Sequence, residues 1–397
     1  MKFIILSLFS FSSLVVWAAE TDSSKILLLS AKADYGTVLN SNDFVDGLNA
    51  HNEVINRFSD ISLSIGWQTQ GKEEWEQQHK LPSFGIGMAI SRFNNTAEIG
   101  KPFSVFGFYH GVLKRWQHSA FRSNLELGLA FNWKKFDLQS NPYNIAIGSK
   151  ITSRISFGLD YEYFLTNRLQ LAVGANLTHF SNGAIRKPNK GLNCVAPFVR
   201  LTYLFDEYKP NNLVFVSTKK QHHEVQVAVG YGVKQEENSI NRNPELSSYY
   251  EHIQKYKVIT LKANYMRQYS SKGKWGGGVS VYFDEWRGCG LFVDENNNAH
   301  KVKTQCGKEP IVGLFLGHEL LINKVGILTD IGGNVYMAHS DIEYQNRKVL
   351  FERLGIKYYL PFNMFVGVNV FANGVKANIV EWNTGYALQW GKREISR

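Results

Sequence analysis

The sequence predicts an all-β protein: an antiparallel transmembrane β-barrel, built as two tandem units of about eight strands each. Three observations carry this prediction. Large apolar residues recur with period two, as in a strand. After residue 20 no apolar run is long enough for a membrane-crossing helix. Aromatic residues gather at strand ends, where a bilayer has its interfaces.

The N-terminal segment, residues 1–19, reads as a signal peptide. Lys2 gives a positive start, residues 3–16 are almost wholly apolar, and Val16-Trp17-Ala18-Ala19 offers a cleavage site after Ala18 or Ala19. The first unit follows over residues 26–206. Ile61, Leu63, Ile65 and Trp67 alternate with Ser62, Ser64 and Gly66. In Leu125 to Trp133 every odd residue is large and apolar, and every even one is small or polar. A soluble sandwich alternates too, but a membrane barrel turns the large face to lipid and keeps small and polar residues inside. The length of the strands, the richness of the small face in Gly and Ala, and the alternation of short turns with long polar loops favour the barrel. Trp116, Trp133, Tyr161, Tyr163, Trp275 and Trp390 are the expected girdle aromatics.

Residues 207–221 read as a linker, and a second unit runs over 222–391. There Val225, Val227, Val229, Tyr231 and Val233 alternate with Gln226, Ala228, Gly230 and Gly232. Tyr386, Leu388 and Trp390 share one face of the last strand, as in the C-terminal signature of outer-membrane barrels. The two units resemble each other: His179-Phe180-Ser181-Asn182-Gly183 parallels Val370-Phe371-Ala372-Asn373-Gly374. Alternation alone leaves open whether they close as two small barrels or one fused wide barrel.

The net charge of +10 suits an anionic membrane surface. The signal peptide and the scatter of the basic residues argue against nucleic acid. Cys194, Cys289 and Cys306 have no metal-binding spacing. Cys289 and Cys306 flank one polar segment and could form a disulfide, whereas Cys194 reads as a small buried residue. No cofactor and no metal are expected. His222-His223 is more often an exposed pair than a ligand set, and Asp294-Glu295-Asn296-Asn297-Asn298 lacks the spacing of a calcium loop.

One strand carries the candidate chemistry. Leu169, Leu171, Val173, Ala175 and Leu177 form an apolar face, and the same period places His179 and Ser181 on that outward side. Two residues apart on a strand, a base and a hydroxyl share one side and can cooperate. Arg186, Lys187 and Lys190 in the following loop could meet anionic headgroups.

The run from His179 to Gly183, then Lys187-Pro188-Asn189-Lys190-Gly191-Leu192-Asn193, then a strand through Tyr203-Leu204-Phe205, resembles the lipid A 3-O-deacylase (PagL-type) family. The resemblance covers residues 30–206 and includes Asn141, Asn144 and Ala146-Ile147-Gly148-Ser149. It implies an eight-stranded outer-membrane barrel, with lipid A or lipopolysaccharide of the outer leaflet as substrate. It implies further that His179 is the general base, Ser181 the nucleophile and Asn182 an oxyanion donor. The family's third member is a glutamate, and Asn193 holds that place here. An amide can orient the imidazole but cannot neutralise an imidazolium. Asp137 is the one alternative acid, because Asp160 and Glu162 should point inward. The second unit has Val370 and Ala372 at the base and nucleophile positions, with Glu381 nearby, and cannot run this chemistry alone.

The resulting reading is an outer-membrane serine esterase acting on lipid A. Its competitors are a non-catalytic barrel, either a channel or a lipid-binding structural protein, and a secreted sandwich. Which acyl chain is cut, and the oligomeric state, are left open by the sequence.

Overall fold

The computed structural model describes residues 25–209, 222–236, 254–287, 290–293, 299–302, 309–337, 349–374 and 376–391. The signal peptide, most of the linker, Cys289, Cys306 and the 294–298 segment lie outside them.

The first unit is β1 (Lys25–Val38), β2 (Phe58–Thr69), β3 (Ser83–Phe93), β4 (Gly100–Arg115), β5 (Ser119–Trp133), β6 (Ile151–Phe164), β7 (Leu169–Ser181) and β8 (Leu192–Leu204). Each strand pairs antiparallel with the next, and β1 closes the sheet on β8 with Lys32 opposite Arg200. The second unit is β9 (His223–Glu236), β10 (Gln254–Ser270), β11 (Gly273–Asp284), a separate hairpin of β12 (Gly290–Val293) and β13 (Ala299–Val302), then β14 (Pro310–Ile322), β15 (Val325–Met337), β16 (Leu350–Tyr359), β17 (Met364–Asn373) and β18 (Lys376–Trp390). Here β18 closes on β9, with Trp390 opposite His223. The molecule is therefore two closed eight-stranded barrels and not one fused wide one. Closure leaves no row of unpaired backbone groups facing lipid.

The faces follow the alternation. Ile61 is 68% exposed, while its neighbour Ser62 is buried. Tyr386, Leu388 and Trp390 all face outward, as do Trp116, Tyr161, Tyr163 and Trp275. Inside, charge replaces hydrocarbon. Arg154 reaches Asp60 at 2.9 Å and Glu126 at 3.0 Å. Arg122 and Arg200 share Asp160, which points inward with Glu162. In the second barrel Lys274 pairs with Glu224 at 2.9 Å, and Lys357 with Glu319 at 3.1 Å. A buried charge is tolerable only when paired and hydrogen-bonded, and these side chains pack both lumens. A narrow barrel filled in this way is not a water-filled pore.

The interiors also record the repeat. The sixth strand of each barrel carries a buried arginine, Arg154 or Arg353. Each pairs with an acid on the fifth strand, Glu126 or Asp330. Each lies over a phenylalanine of the seventh, Phe180 at 5.7 Å or Phe371 at 5.3 Å. Gly183 and Gly374 then end the matched runs with φ of +62° and +59°.

One sequence expectation needs correction. Trp133 is not a girdle residue: it is 3% exposed and packs inward with Phe93 and Phe180. The preceding Asn132 adopts φ +66°, a left-handed turn that breaks the alternation at the end of β5. Tyr208 is buried at the turn end of the first barrel, where its hydroxyl accepts from Gln68 Nε2 at 3.3 Å.

Long loops lie at the end where β1, β3, β5 and β7 finish, and a short helix, α2 (Thr96–Ile99), caps the β3–β4 connection there. At the opposite end the connections are mostly tight, apart from the β2–β3 segment with α1 (Glu74–Gln78).

Candidate active site

His179 and Ser181 sit at the loop end of β7. Across the sheet His179 faces Ile155 of β6 and Asn193 of β8, and Ser181 faces Ser153. Phe180, between them, points the other way and is fully buried among Phe58, Phe93 and Trp133. That inward ring holds the strand end and with it the backbone that carries the two polar side chains on the opposite face. His179 is half-buried and Ser181 is buried. Both keep the outward parity of β7, but neither lies open to lipid as Leu177 does. The loop after β7 folds back over them. A Cβ on Gly191 would come within 2.9 Å of His179 Cε1 and 3.4 Å of the Ser181 Cβ.

Asparagines build the walls. Asn144 donates to the carbonyls of Glu98 and Lys134 and accepts from Ile147 N–H. Asn141 donates to the same Glu98 carbonyl. The carbonyls of Ile145 and Ala146, held in place by this anchoring, accept from the N–H groups of Lys190 and Gly191. Asn42 donates to the Gly191 carbonyl at 3.2 Å. Three loops therefore converge on the residue that covers His179.

The imidazole has a defined partner: His179 Nδ1 lies 2.7 Å from Asn193 Oδ1. An amide oxygen only accepts, so this bond keeps the proton on Nδ1 and leaves Nε2 with its lone pair. Among the described residues the Ser181 hydroxyl makes no hydrogen bond, while its backbone carbonyl accepts from Ser153 Oγ at 2.7 Å. Asp137, the alternative acid, caps its own turn instead. It accepts from Ser140 N–H, Ser140 Oγ and Gln139 N–H, and these bonds hold its carboxyl below the ordinary range. Glu98 also lies below that range: burial pushes it up, but bonds from His51, Ala50 N–H and Asn95 outweigh this.

Asn182 is heavily bonded. Its amide donates to Ser149 Oγ at 3.1 Å and to the Arg186 carbonyl at 2.7 Å, and its backbone N–H donates to Asn189 Oδ1. As folded, the amide holds the loop, and donation to an oxyanion requires release of one of these partners. Arg186 and Lys190 are exposed. Lys187 is not a free cation, because its ammonium pairs with Glu236 of β9 at 2.6 Å.

In the second barrel Val370 lies opposite Val380, and Glu381 turns inward to accept from Asn369 at 2.9 Å. His222 lies beside Glu224, and His223 stacks with Tyr265 and Trp390. Cys194 is free and buried on the inward side of β8.

The sequence profile described as Lipid A 3-O-deacylase (PagL) matches residues 61–202, and that described as Acyloxyacyl hydrolase, C-terminal domain, matches 223–390. The chain belongs to the lipid A 3-O-deacylase (PagL) family. Between them the two profiles span both barrels, so the second barrel is a recognised part of the family architecture. No curated protein matches the chain. Among solved structures, a mutant Rh. blastica porin aligns at 7% identity over 91% of this chain and 99% of its own, with a TM-score of 0.16. The translocator domain of autotransporter NalP from Neisseria meningitidis aligns at 8% identity over 97% and 96%, with 0.19. The FrpB iron transporter from the same organism aligns at 7% over 93% and 70%, with 0.24. Scores this low have no bearing on the fold or the site.

Some residues of the candidate site in this PagL-family chain were not legible as such. Asn42 and Gln235 lie far from the motif in sequence, and no local pattern marks them. Asn189 and Gly191 lie inside the motif, but only the folded loop shows what they hold.

Proposed function

We propose that this chain is an outer-membrane esterase that hydrolyses ester-linked acyl chains of lipid A, with Ser181 as nucleophile and His179 as base. The observation that carries the reading is the 2.7 Å bond from His179 Nδ1 to Asn193 Oδ1. It sets the imidazole tautomer two residues from a hydroxyl on the same side of the strand. The location is supported by the exposed apolar belt, the charged lumens and the family.

In this mechanism His179 Nε2 takes the Ser181 proton as Oγ attacks the ester carbonyl. The tetrahedral adduct collapses, the alcohol oxygen of the ester leaves with the proton from His179, and the acyl chain remains on Ser181. Water, deprotonated by the same imidazole, then releases the fatty acid. Asn193 orients the ring but supplies no charge to the transient imidazolium. Asn182 is the oxyanion donor of this scheme once its amide gives up Ser149, the longer of its two bonds. Arg186 and Lys190 face outward where phosphate-bearing headgroups would lie, with Lys187 behind them.

The test is mass spectrometry of lipid A from cells expressing the wild type, Ser181→Ala or His179→Ala. Each variant should assemble as a heat-modifiable barrel and leave lipid A fully acylated. Wild-type deacylation by either variant would move the chemistry elsewhere.

A further inference from the structure

The loop between β7 and β8 is bonded on two sides. On one side Lys190 and Gly191 pair with the first barrel's own 145–146 segment. On the other it meets the second barrel. There, β9 overhangs its neighbour: its pairing with β18 ends at Gly232 opposite Glu381, yet β9 continues to Glu236. The N–H of Gln235, beyond that last pair, donates to the Ala184 carbonyl at 2.9 Å. Its side-chain Oε1 accepts from the Lys187 N–H at 2.8 Å. Glu236 Oε2 pairs with Lys187 Nζ at 2.6 Å, and its Oε1 lies 3.4 Å from the buried Lys234. Lys234 is itself tied to Asp284 at 2.5 Å inside the second barrel. Beside these bonds, a Cβ on Gly183 would come within 2.3 Å of Val380 Cγ2. Val380 is the cross-strand partner of Val370, the position that matches His179 in the repeat.

We infer that the second barrel is a positioning element for the site of the first: Gln235 and Glu236 clamp the loop that carries Asn182, Asn189 and Gly191 over His179 and Ser181. The apolar residues Val370 and Ala372 at the positions that match His179 and Ser181 fit this role. A strand face beside a docked loop gains more from apolar packing than from a second base. The clamp acts on Asn182 through a short path, since Ala184 and Lys187 are two and five residues away and Asn182 bonds the intervening Arg186 at both ends. Misplacing reacting groups by about 1 Å can cost on the order of 100-fold in rate, so a loosened loop should lower turnover more than affinity.

This inference rests on the esterase reading, so the test has one readout that depends on activity and one that does not. The full-length protein is purified in detergent as wild type, Gln235→Ala, Glu236→Gln and Glu236→Asp. Fatty-acid release from lipopolysaccharide gives kcat and KM. Limited trypsin digestion at Arg186 and Lys190 reports how tightly the loop is held. The expected result is a fall in kcat of about tenfold in Gln235→Ala and in Glu236→Gln with KM within about twofold. Loop cleavage should be several-fold faster in Gln235→Ala and Glu236→Gln, and Glu236→Asp, which keeps the carboxylate, should recover part of the loss relative to Glu236→Gln. Wild-type cleavage rates in both Gln235→Ala and Glu236→Gln overturn the clamp, and wild-type kcat in both overturns its positioning role. An inactive wild type would instead count against the esterase reading while the digestion still decides the docking.

Discussion

At His179 the proposed chemistry turns on the type of one side chain. Asn193 accepts from Nδ1 at 2.7 Å, which meets the orienting requirement of a catalytic third member but not the electrostatic one. Asn193→Glu should therefore preserve or raise fatty-acid release, and Asn193→Leu should lower it about tenfold or more, since nothing then holds the tautomer. Loss of activity in Asn193→Glu with the barrel assembled would mean that the amide has a role of its own. Gly191 is the second sensitive residue. Its φ of +76° and the 2.9 Å approach of an added Cβ to His179 Cε1 leave no room for a side chain. Gly191→Ala should cost at least about tenfold in turnover, because the new methyl group displaces the ring. Unchanged kinetics in that variant would show that the loop does not cover the imidazole.

Among the elements, the strand supplies the pair and the loops supply the site. β7 ends with Phe180 pinned among aromatic rings, and the segment 134–150 bends over it on the bonds of Asn141 and Asn144. Asn144→Ala removes two donated bonds and one accepted bond, each to backbone, at a buried position. An unsatisfied buried backbone group costs roughly 1–3 kcal/mol, more than a surface loop can absorb without shifting. Amide exchange in residues 134–150 should accelerate in this variant while the strands stay protected. Equal protection of loop and strands would show that the loop is held by something other than Asn144.

For the whole molecule, separate closure sets what can be removed. Each sheet satisfies its own edges, so a chain ending after Lys209 exposes no unpaired strand to lipid. Such a chain retains Tyr208, which plugs the turn end of the first barrel. It should insert and show heat-modifiable migration by itself. Its turnover should fall below that of the full chain, because Gln235 and Glu236 are gone. A fragment that never assembles, in cells that assemble the full protein, would show that the barrels fold only together.

The sequence alone determined the strands, their faces and the residues of the motif. Lipid outside and a packed polar lumen inside demand a change of polarity at every residue, and that demand is written locally, as in Ile61 to Trp67 and Val225 to Val233. The pairing of His179 with Asn193 was anticipated only through the resemblance to the deacylase family, which puts Asn193 in the place of the family's third member, and the two residues are cross-strand neighbours here. Tertiary structure decided the rest. Whether β8 would return to β1 or pair with β9 is not encoded in alternation, since either choice buries the same faces. Trp133 follows the period in sequence but turns inward, because the left-handed Asn132 ends the regular strand. The clamp on the loop joins Lys187 to Gln235 and Glu236, residues 48 and 49 positions apart. No local pattern announces such a bond: it exists only because two closed barrels bring a loop of one against a strand overhang of the other.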